Sequence, residues 1–263
     1  MTERPILFSG AMVSAILQGK KQQTRRVVKP QPPKHAGDGY PRNRVFCRLA
    51  DSEEDILYAY GPDNWNVRCP YGVPGDRLYV REAWQYANWT EDGYPFVGYR
   101  ADNAKLLIDS GIPEEWSERL MDAWAELSKP KNYDIDKRAA DRRWRPGIHM
   151  PRWACRLVLE VTAVRVERLQ QISVADAIAE GVKFTDFGMR QRGKMSLDGG
   201  KTFHQLKPEQ HHGFHFKEVS GPDQCSSTAR MAYANLWESL NAKRAPWASN
   251  PWVWVVEFRR LSR

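Results

Sequence analysis

Arg156-Leu157-Val158-Leu159-Glu160-Val161-Thr162-Ala163-Val164-Arg165-Val166 carries the clearest structural signal in the chain. Leu157, Leu159 and Val161 alternate with Arg156, Val158 and Glu160, which is the period of a strand. At Thr162-Ala163 the phase changes, and Val164 and Val166 carry the apolar face onward. A one-residue change of phase marks a bulge, and barrels bend their strands with bulges. The fold expected from this stretch is α+β: a small, mostly antiparallel β-barrel with short helices.

Outward from it, the same two periods recur. Pro74-Gly75-Asp76 reads as a turn into a strand in which Leu78, Val80 and Glu82 alternate with Tyr79, Arg81 and Ala83. A closing strand spans Trp252–Phe258, with Trp252, Trp254, Val256 and Phe258 on one face and Val253, Val255 and Glu257 on the other. Ser9 and Gly19 bracket a helix whose apolar face is Met12, Val13, Ile16 and Leu17. Ser173-Val174-Ala175-Asp176 resembles a capping box before a short helix that Gly181 stops. Ser226 or Ser227 caps a later helix carrying Tyr233, Leu236, Trp237 and Leu240. Residues 31–67 read as a long loop. Two insertions, at about 86–147 and 184–225, interrupt a single domain over 1–263. The first holds a helix opened by Pro113 and ended by Pro130, with Trp116, Leu120, Trp124 and Leu127 on its apolar face. The second is polar and glycine-rich and reads as a mobile loop or flap.

Composition narrows the function classes. Hydrophobic residues are 41% and charged residues 27% of the 263, a globular mix long enough to bury a core without staples. No apolar run reaches the roughly 18 residues of a membrane span, and Met1-Thr2-Glu3-Arg4-Pro5 lacks the regions of a signal peptide. The expected location is the cytoplasm, with the scattered Cys47, Cys69, Cys155 and Cys225 reduced. Forty Lys and Arg against 32 Asp and Glu give a formal +8, an excess that favours an anionic partner such as RNA or DNA. Most of the eleven tryptophans are expected in the core or at its rim, although an aromatic face can also stack on a base.

The densest polar cluster is Gly19-Lys20-Lys21-Gln22-Gln23-Thr24-Arg25-Arg26. A lysine, a threonine hydroxyl and two guanidiniums this close can bind an anion and activate a hydroxyl nucleophile, provided burial or neighbouring cations depress the lysine pKa. The alternative is a solvated basic loop. Glu180 ends the short helix at the negative pole of its dipole, so it is either exposed or held there for a purpose. Arg81-Glu82 can be an ion pair or a pocket wall. Lys137, Arg138, Arg142, Arg143 and Arg145 form a basic stretch. His211 and His215 stand four apart, which serves a metal only on a helix, and Gly213 argues against one. No cysteine pair has ligand spacing. Neither a metal nor another cofactor is expected.

Gly19, Lys21, Thr24 and Arg26, the run from Pro74 to Glu82, the segment from Ser173 through Asp176-Ala177 to Glu180-Gly181, and Trp254-Val255-Val256-Glu257-Phe258 together resemble the ASCH family. These are PUA-like barrels, here in the larger form found in phages and prophages, which would place the chain in the host cytoplasm. The resemblance implies a pocket at the barrel mouth. The family's bacterial amidohydrolases remove the acetyl group from N(4)-acetylcytidine with a lysine, a threonine three residues on, and a glutamate. Lys21, Thr24 and Glu180 match these. Amide hydrolysis needs an activated nucleophile, a proton shuttle and an oxyanion donor, so Thr24 is expected to attack, Lys21 to activate it, and Glu180 to position Lys21 or shuttle the proton. Arg26, Arg81 and Glu82 are the candidate substrate-binding residues. Lys20, Arg25, Arg142, Arg143 and Arg145 are the candidate nucleic-acid contacts. Two classes stay open: a hydrolase of a modified nucleoside or base, and a non-catalytic RNA or DNA binder, such as a reader of a modified base. Some relatives are suggested to cleave RNA.

Overall fold

The structure is a computed structural model that describes residues 1–32, 46–49, 57–60, 65–128, 143–191, 193–196, 199–200 and 202–261. Pro130, Lys137, Arg138 and Arg142 lie outside the described residues. In chain order, β1 (Glu3–Leu7), helix α1 (Gly10–Leu17) and β2 (Gln23–Val27) come first. β3 (Phe46–Leu49), β4 (Leu57–Tyr60) and β5 (Asn66–Arg68) follow, then β6 (Arg77–Arg81), β7 (Trp84–Trp89), β8 (Pro95–Tyr99), β9 (Lys105–Leu107) and helix α2 (Ser117–Ser128). Next are β10 (Val158–Arg168), helix α3 (Val174–Ala179), β11 (Lys183–Arg190), β12 (Lys194–Met195), β13 (His204–Gln205) and β14 (Glu209–His215). Helix α4 (Ala229–Asn241) and β15 (Trp252–Arg260) complete the chain order.

The central sheet has the order β1-β6-β10-β15-β2. β1 runs parallel to β6, and the other neighbours are antiparallel. The register of β10 against β15 shifts between Val161 and Ala163, where the alternation changes phase in the sequence. The bulge does not close a barrel. Among the described residues β1 and β2 are the two edges of the sheet and do not pair; the Arg26 guanidinium crosses between them, donating to the Leu7 carbonyl. The expected PUA-like barrel is therefore corrected to an α+β fold of separate open sheets. One bulge bends a strand, but closure requires the edge strands to meet, and here a cleft holds them apart.

The sheet is covered on both faces. Trp252, Trp254, Val256 and Phe258 of β15 join Leu78, Val80, Leu159, Val161, Val13 and Ile16 in one core. Val253 and Val255, from the opposite face of the same strand, join Ala177 of α3 and Ala232, Tyr233 and Trp237 of α4 in another. A third core packs Trp84, Tyr86, Tyr99, Leu120 and Trp153 around the β7-β8-β9 sheet. Buried tryptophans thus build all three cores.

Two stretches expected to be irregular hold strands. Within 31–67, β3, β4 and the start of β5 form a three-stranded sheet. Within 184–225, β11 and β14 pair as a long hairpin, with β12 and β13 as a smaller one. β3, β4, β5, β12 and β13 span two to four residues and leave no countable alternation, whereas the longer β11 and β14 carry glycines and polar residues of loop composition. Helix α4 is capped by Thr228, whose hydroxyl accepts from the Met231 N–H, rather than by Ser226 or Ser227. Among the described residues no helix is long and apolar enough to cross a membrane.

Asp76 fastens the N-terminus to the sheet. Its carboxylate accepts from the Thr2 N–H (2.7 Å), the Thr2 hydroxyl (2.8 Å), Arg4 Nη1 (2.8 Å) and the Val73 N–H (3.3 Å). Gly72 has φ +87°, and a β-carbon there would strike Arg4 and Asp76. Burial alone would raise the Asp76 pKa, but these donors outweigh it and hold the group below its ordinary 3.8. Asp76→Asn should lower the unfolding free energy by about 3 kcal/mol in urea titrations. The native carboxyl pKa is depressed, so its contribution is complete above the unfolded value and disappears as pH falls through the folded one. Wild type should therefore lose stability below pH 3.8 by a component that Asp76→Asn lacks.

Candidate functional site

A cleft of about 380 Å³ opens at the free edge of β2, within the size range of small-molecule sites. Four consecutive β2 residues, Thr24, Arg25, Arg26 and Val27, form one side. Phe8 and Met12 stand at the end of β1 and the start of α1. Glu180, Tyr233 and Trp237 come from the α3 terminus and α4. Pairing with β15 puts Thr24 and Arg26 opposite Val256 and Trp254, and Arg25 opposite Val255. The cleft therefore wraps around the strand edge and draws on both faces. As an edge strand, β2 also presents backbone N–H and C=O groups that have no sheet partner.

Glu180 is 2% exposed and Lys21 1%. Lys21 Nζ lies 2.6 Å from Glu180 Oε2 and 2.9 Å from the Glu180 carbonyl oxygen. This contact answers the question posed by a carboxylate at a helix C-terminus: the ammonium neutralises the side chain and caps a terminal carbonyl, offsetting the dipole. Gly181 follows in the left-handed conformation that favours glycine and ends the helix. Its φ is +102°, and a β-carbon there would lie 3.6 Å from the Lys21 Cβ and 3.4 Å from the Phe216 ring. Burial lowers the Lys21 pKa from its ordinary 10.5; Glu180 opposes the shift, and Arg26 and Arg25 add to it.

Arg25 is buried as well. Its guanidinium meets Glu167, Asp176 (3.2 Å) and Glu180 (3.5 Å) and stands 5.9 Å from the Tyr233 ring centroid. Arg165 extends the network to Asp176 (2.8 Å), Glu167 (3.4 Å) and Glu257. Tyr233 donates to Glu180 Oε1 at 3.5 Å; burial, then the Glu180 charge, raises its pKa well above 10.0. The sequence signal for this network is weak, because Glu167, Asp176 and Tyr233 are distant from one another along the chain and unremarkable in type. Arg26 stacks its guanidinium 5.1 Å from the Phe8 centroid, and its buried Nε has no hydrogen-bond partner among the described residues.

No family model, curated protein or solved structure matches the chain. With the open sheet, this corrects the ASCH resemblance: the shared motifs are short, and the barrel they implied is not formed.

The structure brings Thr24 and Glu180 to one cleft and pairs Lys21 with Glu180 behind it. Arg26 lines the same cleft. Arg81 and Glu82 do not. Arg81 donates to the carbonyls of Met150 (3.0 Å) and Ile148. Glu82 takes a two-pronged contact from Arg156 (2.9 and 3.1 Å), which also holds Asp102. Both are used as internal fasteners. Lys20 is exposed, whereas Arg25 is enclosed by carboxylates. Arg143 is exposed, and Arg145 packs its guanidinium 4.4 Å from the Tyr86 ring centroid. His215 bonds Thr185 Oγ1 (2.8 Å) and the Lys217 carbonyl (2.6 Å). Among the described residues no cluster of His, Cys, Asp and Glu is arranged for a metal.

Lys21→Met would leave the Glu180 carboxylate buried without its ammonium. It should reduce unfolding free energy by about 3–5 kcal/mol in chemical denaturation. Lys21→Met/Glu180→Leu removes both charges and should lose clearly less than the sum of the two single variants; strictly additive losses would show that the pair is not coupled.

Proposed function

We propose that the cleft binds a modified nucleoside or base and hydrolyses an amide-linked acyl group on it. The observation that supports this most is the enclosed Lys21–Glu180 pair behind a wall containing Thr24. Phe8, Tyr233 and Trp237 offer aromatic faces to a flat heterocycle. Arg26 and the unpaired edge of β2 offer donors to its polar groups and to a developing oxyanion.

In this reading burial lowers the Lys21 pKa, and the reacting form is the fraction that carries the neutral amine. The amine takes the Thr24 hydroxyl proton as the oxygen adds to the acyl carbon. The C–N bond then breaks, and the amino group of the base leaves with the proton from Lys21. Water attacks the threonyl ester, releasing the acid and restoring Thr24. Glu180 keeps Lys21 oriented throughout.

A second reading is recognition without turnover, as in a reader of a modified base. It draws support from the enclosure of Lys21, which spends its donors on Glu180, and from the β2 register, which puts Thr24 and Arg25 on opposite faces.

A panel of N-acylated and N-alkylated nucleosides and free bases, assayed for released acid and amine, separates the readings. Wild type should deacylate at least one, and Thr24→Ala should lower kcat by about a hundredfold or more while unfolding at nearly the wild-type denaturant concentration. With neutral Lys21 as base, kcat/KM should rise with pH along a limb set below 10.5. Glu180→Gln removes the partner that raises the Lys21 pKa, so the limb should move to lower pH. Tight binding of one compound with turnover of none would instead establish the reader.

A further inference from the structure

We propose that the hairpin arm running from Lys183 to Lys217 binds single-stranded nucleic acid. This inference does not depend on what the cleft does. Residues 183–217 hold seven Lys and Arg against three Asp and Glu. That formal +4 is half the +8 of the whole chain, and of these cations Lys183 is paired with Glu218 just beyond the segment. The same segment has five phenylalanines and four histidines but no Val, Ile, Trp or Tyr.

The geometry explains how this composition can be used. β14 is anchored to the body through an antiparallel bridge between Phe214 and Ser226. Among the described residues the sheet ends with β11, whose outer edge has no sheet partner. Phe184 pairs across the ladder with Phe214, and Met189 with Gln210, after a register shift between Asp186 and Gly188. One face of the ladder therefore presents Phe184, His212 and Met189. Phe184 is 53% exposed and Met189 62%, and Phe203, beyond β12, is 61% exposed. The Phe184 and His212 ring centroids lie 5.5 Å apart. Arg190 stands 5.6 Å from the Phe187 centroid, and Lys194 is exposed in the second hairpin.

Exposed flat rings set among cations form the surface that unpaired bases and their phosphates recognise: the rings stack on bases of any sequence while the cations follow the backbone. In a duplex the base faces are already stacked, leaving such rings without a partner. A protein-docking face is a poorer match, because lysine, which supplies five of the seven cations here, is depleted from protein interfaces. The near absence of branched aliphatic side chains likewise leaves little to insert into a membrane.

The test uses the full chain and fluorescence anisotropy with labelled 12-nucleotide single strands, RNA and DNA, and the corresponding 12-base-pair duplex. Single strands should bind in low salt and weaken as salt rises, with a log–log slope of about 0.7 per phosphate contacted. Phe184→Ala and Phe203→Ala, both at exposed positions, should each weaken binding at least about fivefold. Arg190→Glu/Lys194→Glu should weaken it further and flatten the salt slope. Lys105→Glu, an exposed position on β9 outside the arm, should leave affinity within twofold. The melting temperature of each variant, followed by circular dichroism, should stay at the wild-type value. The proposal is overturned by any of three results: no salt-sensitive binding of single strands, binding untouched by the four arm substitutions, or duplex or phosphatidylserine vesicles binding as tightly as the single strand.

Discussion

Strand β15 has apolar side chains on both faces, and this constraint sets where everything else can go. Trp252, Trp254, Val256 and Phe258 must be covered on one side, Val253 and Val255 on the other. Each face is roughly a helix-width of apolar surface whose burial stabilises by about 25 cal/mol per Å². Helix α1 and the β5 region satisfy the first face, and helices α3 and α4 the second. With both faces closed, a ligand can reach the sheet only at an edge. β2 is that edge, and the cleft lies along it. Had β1 and β2 paired to complete a barrel, the space lined by Phe8, Thr24, Arg26 and Glu180 would have been filled by a ladder.

The charges follow from the same geometry. β2 packs beside β15 with Arg25 on the face of the second core, where an unpaired guanidinium would be strongly unfavourable. Glu167 from β10, Asp176 from α3 and Glu180 from the α3 terminus meet it there. Asp176 serves twice, since it also closes the capping box with Ser173. A single carboxylate thus starts helix α3 and neutralises Arg25. The helix then ends on Glu180, which takes up Lys21. Removing any one member leaves a buried charge facing the rest, which makes the network a rigid wall for the cleft.

The sequence revealed local elements and concealed their long-range partners. The phase change at Thr162-Ala163, the capping box at Ser173 and the two-faced strand at Trp252 are all written in side-chain period or in residues a few positions apart. Barrel closure is a different matter, because it depends on whether β1 and β2 meet, and alternation within a strand says nothing about its neighbour. The hairpin at 183–217 was hidden because its glycines, lysines and histidines resemble loop composition. At the site, Lys21, Thr24 and Glu180 stood out through spacing. Arg25 was misread as a surface cation because the three carboxylates that bury it come from distant segments. Arg81 and Glu82 were misassigned to the pocket for a related reason: their partners, Met150 and Arg156, are some seventy positions away.

Gly181 lies between the cleft wall at Glu180 and the β11–β14 hairpin. Its positive φ lets the chain leave α3 immediately after Glu180 and enter the arm at Lys183. The small space above its α-carbon is shared by the Ala15 and Lys21 β-carbons and the Phe216 ring at the base of the arm. A side chain there would be strained by the positive φ, while its β-carbon would make ordinary contact with both segments. The segment that holds Lys21 and the Phe216 ring at the base of the hairpin therefore pack side by side across Gly181.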